Sequence, residues 1–277
     1  MLRSLKEMEN YSVLAKDGPI GEVKDFYFDD EKWVIRYLIV DTGNWLASRK
    51  VLVSPLALGH PDWTRKILPV SLTREQVKNC PGIDTDIPVS RQYERGFLGY
   101  YGYPYYWGSE ELWAGNVYPN MMMPGYGGFA SMPDPIRSSE DLDYARDAAA
   151  RHQNDDPHLR RCKEVAGYHV HATDGDIGHI QGFLVDQDTW AIRYIIVDTS
   201  NWWLGHQVLI APIWTQDINR PEATVSVALT REAVKNSPAY DPAVPFDREH
   251  EARLHEHYGH SGYWEDEIVL EGAAAGP

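Results

Sequence analysis

The sequence predicts an all-β-dominated chain built as two small β domains, each a barrel or sandwich with one or two short helices, joined by a Gly/Tyr/Pro/Met-rich linker and a helix. Three observations carry this reading. First, the stretch Trp33-Val34-Ile35-Arg36-Tyr37-Leu38-Ile39-Val40-Asp41-Thr42-Gly43-Asn44-Trp45 returns as Trp190-Ala191-Ile192-Arg193-Tyr194-Ile195-Ile196-Val197-Asp198-Thr199-Ser200-Asn201-Trp202. The same offset of 157 maps Tyr11 onto Tyr168, Asp17-Gly18 onto Asp174-Gly175, and Pro55 onto Pro212 without a gap. About two-fifths of the paired positions are identical, and so long a period denotes two copies of one domain rather than a solenoid or propeller. Second, the run from Trp33 to Asp41 is rich in β-branched and aromatic residues and is apolar on both faces, Arg36 excepted, which suits a strand buried on two sides. Third, short apolar runs bounded by turn residues recur through each copy.

In order, Tyr11 to Ala15 alternates as a strand, and Lys16-Asp17-Gly18-Pro19 turns it into a second strand, Ile20 to Phe28. Asp-Gly supplies the positive φ that a tight hairpin requires. Asp29-Asp30-Glu31-Lys32 then turns the chain into the Trp33 strand. Lys50 to Ser54 is a fourth strand stopped by Pro55, and Lys66 to Leu72 a fifth. Thr73 is a helix N-cap for the residues up to Asn79, repeated from Thr230 to Asn236. A second helix runs from Ser90 to about Leu98 and, in the other copy, from Asp247 to about His257.

The expected boundaries are residues 1–110 for the first unit, 111–158 for the linker, 159–267 for the second unit and 268–277 for a fraying tail. Gly96 to Pro135 is crowded with Gly, Tyr, Pro, Trp and Met, a composition for an irregular aromatic strap against a barrel. From Ser138 to Arg151, Leu142, Ala145, Ala148 and Ala149 fall near helical spacing and predict the linker helix.

Hydrophobic residues at 43% and charged residues at 24% are ordinary for globular domains. A formal net charge of −15 repels phosphate backbones and anionic lipid, so no nucleic-acid partner is expected. No apolar run approaches the length of a membrane span, and the charged N-terminus lacks a signal-peptide core. Cys80 and Cys162 face Ser237 and Leu5 in the other copy, so neither belongs to a shared disulfide or metal framework. The expectation is a cytoplasmic protein without a cofactor, the alternative being one peripheral to the inner membrane.

Asp17-Gly18-Pro19-Ile20-Gly21 with Val23 and Phe26, the Trp33 to Thr42 strand, and Val51-Leu52-Val53-Ser54-Pro55 together resemble the PRC-barrel family, named for the cytoplasmic domain of the photosynthetic reaction-centre H subunit. Copy two repeats each element at Asp174 to Gly178, Trp190 to Thr199 and Val208 to Pro212. The resemblance implies a barrel of about six strands in each unit, similar also to the C-terminal domain of a bacterial ribosome-maturation factor. It implies fold more than function.

Asp41, Asn44 and Trp45, with Asp198, Asn201 and Trp202, follow the central strand in both copies. They are candidates to hold a ligand or partner, against a structural reading in which Asp and Asn bond turn amides and Trp plugs a barrel end. Tyr105, Tyr106 and Trp107 of the aromatic strap are further candidates for partner contact. Arg36 and Arg193 call for a buried carboxylate, with Asp29, Asp41 and their counterparts available. His250, His255 and His257 are weak metal candidates, since their spacing lacks the i, i+4 ligand pair. No phosphate loop, nucleophile elbow or Cys-His pair is present, and no catalytic set is duplicated with the scaffold. The expected function is a non-enzymatic scaffold for an unidentified protein partner, with the two units packed together and self-association open. The alternatives are a peripheral accessory of a membrane electron-transport or photosynthetic complex, and a ribosome-assembly accessory.

Overall fold

The structure, a computed structural model, describes residues 1–82, 89, 91–107, 112–113, 118–119, 158–199 and 206–265. The expected helix from Ser138 to Arg151, most of the linker, Asn201, Trp202 and the tail lie outside the described residues. In chain order the elements are β1 (Leu2–Ser4), α1 (Leu5–Met8), β2 (Ser12–Ala15), β3 (Gly18–Asp29), β4 (Val34–Asp41), β5 (Lys50–Val53), β6 (Ile67–Pro69), α2 (Arg74–Asn79) and α3 (Arg91–Tyr101). They continue with β7 (Leu159–Arg161), α4 (Cys162–Val165), β8 (His169–Ala172), β9 (Gly175–Asp186), β10 (Ile192–Asp198), β11 (Gln207–Ile210), β12 (Thr215–Asn219), β13 (Thr224–Val227), α5 (Arg231–Lys235) and α6 (Arg248–Tyr258). Strands dominate and helices are few and short, as the turn pattern predicted.

The chain divides into two compact units. One comprises Ser4–Glu164 with Asp186–Ile192; the other comprises Met1–Arg3, Val165–Val185 and Arg193–Pro277. Each unit therefore takes in a piece of the other sequence copy, which the sequence reading did not anticipate.

In the first unit the strand order is β5-β4-β3-β2-β6, with β7 paired to β3. Neighbours run antiparallel except β2 and β6, which are parallel. Register shifts between Val23 and Asp25 and between Tyr27 and Phe28 mark bulges that bend the long β3. A bridge from Leu58 to Val70 ties the segment after β5 to the segment after β6, at opposite ends of the ladder. Every residue from Val34 to Val40 is buried, Arg36 included, so β4 is the two-sided stave that its composition predicted.

Two details differ from the sequence reading. Trp33 does not belong to the strand: its φ of 53° is left-handed, and Trp190 matches it at 60°. The Asp29 carboxylate accepts the N–H groups of Glu31 and Lys32, and the Trp33 N–H donates to the Asp29 carbonyl at 2.7 Å, closing a tight turn. Burial of the indole and its stacking on Phe28, 5.3 Å between centroids, offset the backbone cost of about 1–3 kcal/mol. The fifth strand shrinks from the expected Lys66–Leu72 to Ile67–Pro69, because Lys66 is left-handed and Pro69 has no N–H to donate.

Gly21 is required by close approach: a Cβ there would lie 1.9 Å from the Asp41 carbonyl oxygen. Thr73 caps α2 in a full capping box with Gln76, and Asp17 of the hairpin turn accepts the Arg74 N–H at 2.8 Å. The turn thereby fixes where the helix starts.

The second unit has the order β11-β10-β9-β8-β13-β12, with β1 paired to β9. Its two end strands, β11 and β12, are joined by the short 3-10 turn Pro212–Trp214. Gly178 repeats the close approach, 2.0 Å from the Asp198 carbonyl oxygen, and Asp174 accepts the Arg231 N–H at 2.7 Å. Here the cap is Thr230 alone, since Ala233 stands where the box needs a Gln.

Candidate functional site

Asp41 ends β4, and its carboxylate accepts the Gly43 N–H at 2.9 Å, which opens the 3-10 turn Gly43–Leu46. The Trp45 indole N–H donates to the Ile20 carbonyl, and the Arg74 guanidinium lies over its ring at 4.4 Å. Asn44 is exposed on the same turn. Asp198 ends β10 in the same way, while Asn201 and Trp202 lie outside the described residues.

A second constellation forms deeper in the first unit. Glu94 projects from α3 and is 0% exposed. The Tyr37 hydroxyl on β4 donates to its carboxylate at 3.1 Å, and the Tyr106 hydroxyl donates to the same oxygen. The Tyr106 ring in turn supports Arg36, whose guanidinium carbon lies 3.8 Å from the ring centroid. Arg36 donates to Asp29 at 2.9 and 3.3 Å and to the Leu112 carbonyl at 2.6 Å, with the Trp113 ring on it at 5.0 Å. Of the two carboxylates proposed for Arg36, the structure selects Asp29. Burial pushes Tyr37 well up, and the Glu94 charge adds to it, so the hydroxyl remains a proton donor.

The second unit builds the same set at the 157 offset. Tyr194 and Tyr263 donate to Glu251 of α6 at 3.0 and 2.8 Å, and Arg193 lies over the Tyr263 ring at 3.9 Å. Arg248 approaches Glu251 at 3.4 Å and lies over the Trp264 ring at 4.2 Å. One member has no equivalent in the first unit, where Leu98 occupies its place: the buried His255 meets the Tyr194 hydroxyl through Nε2 at 3.0 Å and the Ser261 carbonyl through Nδ1 at 2.8 Å. A carbonyl only accepts, so Nδ1 carries a proton. With a neutral ring and an ionised Glu251, the single Tyr194 proton then faces two acceptors. One further proton, on Glu251 or on His255, completes the chain. Burial pushes Glu251 up and His255 down.

Residues 2–59 match the family model of the PRC-barrel domain. This part of the chain is a PRC-barrel domain. No curated protein matches the chain. The PRC-barrel match includes Asp29, Arg36, Tyr37, Asp41, Asn44 and Trp45 and ends before Glu94 and Tyr106. The helix that closes the Glu94 cluster is therefore an addition beyond the matched PRC-barrel residues. Sequence reasoning missed both glutamates, although the signal was available: across α3 and α6 the offset preserves only Arg91/Arg248, Glu94/Glu251 and Tyr101/Tyr258.

Tyr106 is buried as a tie to Glu94, while Tyr105 is exposed and stacks on the half-buried Trp107 at 4.8 Å. In the first unit a small cleft of about 60 Å³ is lined by Trp63, Trp190, His60, Gln187 and Asp188 among others. The three histidines diverge: His250 pairs with Asp247 at 2.7 Å, His257 bonds the Ala233 carbonyl at 2.8 Å, and His255 faces inward. Among the described residues no group of three His, Cys, Asp or Glu side chains is arranged to hold a metal. No helix among them is long and apolar enough to cross a membrane.

Proposed function

We propose that the protein is a non-enzymatic scaffold of two PRC-type barrels that presents a pre-ordered aromatic surface to a protein partner. The observation that carries this reading is the Tyr105–Tyr106–Trp107 run. Tyr106 is rooted on the buried Glu94 and under Arg36, and this holds its two neighbours in a stacked pair at the surface. A rigid aromatic pair loses little conformational entropy on binding, which is the property of an interface anchor. The second unit has Gly262 in place of Tyr105, so the pair belongs to the first unit alone. Barrel closure is supported by the Leu58–Val70 bridge in one unit and by the short connection between the end strands of the other. The Glu94 and Glu251 carboxylates are each engaged by two tyrosine hydroxyls of their own unit, which favours a tie between helix and sheet over acid–base work.

Affinity capture with the full-length chain tests the proposal. The wild-type chain is expected to retain a discrete protein that the Tyr105→Ser/Trp107→Ser variant loses. Equal retention by both chains would remove the aromatic pair from the interface.

A further inference from the structure

The edge of β3 that receives β7 is acidic, and the strand it receives is basic. The pairing is antiparallel, with Arg161 opposite Tyr27, Arg160 opposite Phe28 and Leu159 opposite Asp29. Arg161 Nε donates to Asp25 at 2.9 Å. Arg160 Nε lies 2.9 Å from Asp30, an ion pair rather than an aligned hydrogen bond. His158 reaches Asp30 at 3.1 Å, the Lys163 N–H donates to Asp25 at 3.2 Å, and Lys163 Nζ reaches Glu9 at 3.0 Å. Asp25 is 2% exposed, and the β3 bulge beside it turns its side chain toward the incoming strand. Burial raises Asp25 and Asp30, and Arg161 and Arg160 offset part of that rise. Such a carboxylate is costly to bury unless the guest strand brings a cation.

At the 157 offset, host and guest change together. Asp25 and Asp30 become Gly182 and Gln187; His158 and Arg161 become Met1 and Ser4. The strand containing Met1's neighbours, β1, pairs with β9, the counterpart of β3. Arg160 and Lys163 keep basic counterparts in Arg3 and Lys6, so the deciding change is at one pair: the host that lost Asp25 takes the guest that lost Arg161.

We propose that the β3 edge is a strand-receiving site addressed by charge, in which Asp25 and Asp30 admit a basic strand of the pattern His-Leu-Arg-Arg-x-Lys and Asp25, answered by Arg161 but not by Ser4, rejects Leu2–Ser4. In the folded chain its occupant is the segment 158–163. The recognition mode is β-augmentation: main-chain bonds hold the strand, the buried Asp25 carboxylate selects it, and the partly exposed Asp30 adds to the hold. If Leu2–Ser4 entered instead, Asp25 would be buried opposite Ser4 with no cation.

Two measurements on the full-length chain test this. In an Arg160→Asp/Arg161→Asp variant, whose own strand is repelled, a labelled peptide of residues 158–164 is expected to bind more tightly than a peptide of residues 1–7 by about tenfold or more. Adding Asp25→Asn should abolish that preference. Equal binding of the two peptides, or binding of neither, overturns the proposal. Independently of peptide, Asp25→Arg and Arg161→Asp should each lower the melting temperature, and the combined charge reversal should recover more than half of the loss. Simple addition of the two losses in the double variant overturns it as well.

Discussion

Glu94 and Glu251 tie α3 and α6 to a central strand of their units through hydroxyl protons that tyrosine supplies and phenylalanine does not. A hydrogen bond to a buried charge contributes about 1.5–3 kcal/mol. Tyr37→Phe and Tyr106→Phe are therefore each expected to cost about 1–3 kcal/mol in urea unfolding, with coupling between them because they share one acceptor. Loss of less than about 0.5 kcal/mol in both would show that the carboxylate is hydrated instead. His255 adds a pH dependence to the second unit. Burial holds it below its ordinary value of 6.5, so its contribution is complete above that pH and is lost as pH falls through the lowered folded value. Glu251 runs the other way: burial raises it above 4.5, so its contribution is complete below that pH and is lost as pH rises through the raised value. His255→Leu installs the residue type that the first unit has at Leu98. As pH falls from about 7.5 to about 5.5 this variant is expected to lose less stability than the wild-type chain. Parallel stability curves would dismiss the histidine arm.

At the level of elements, the staves and turns were legible and the exchanged strands were not. Asp17-Gly18 and Asp174-Gly175 announced their hairpins because few other residue pairs adopt that backbone, and Thr73 and Thr230 announced their helices through the donors they satisfy. Leu2-Arg3 and Leu159-Arg160 read alike, so nothing local says which sheet each joins; that choice rests on Asp25 and Arg161, distant in sequence. The left-handed Trp33 was hidden for a related reason, since its cost is local and its compensation is tertiary. The Glu94 cluster combines residues separated by 57 and 12 positions, beyond any short motif. Gly21 and Gly178 give the sharpest element-level expectation. Either substitution by Ala drives a Cβ into a carbonyl oxygen at about 2 Å, so β3 or β9 must shift, and a loss well above the roughly 1 kcal/mol of an ordinary substitution is expected by thermal or urea unfolding. Thr73→Ala, which removes only a cap, should cost about 1 kcal/mol.

For the whole molecule, the proposed scaffold role together with a net charge of −15 and an anchored aromatic pair would suit a partner with a basic rim around an apolar pocket. Capture of such a partner should weaken as salt rises, because the charged rim is screened while the aromatic contact is not. The scaffold reading separates two kinds of tyrosine that lie side by side. Tyr106 belongs to the fold, and Tyr105 with Trp107 belongs to the surface. Melting temperature and partner retention, measured together for the full-length wild type, Tyr106→Phe and Tyr105→Ser/Trp107→Ser, distinguish them. Tyr106→Phe is expected to lower the melting temperature, and Tyr105→Ser/Trp107→Ser to abolish retention while melting within about 3 °C of wild type. Retention that survives loss of the aromatic pair, or that falls only in step with stability, would mean that this protein does not hold its partner through that surface.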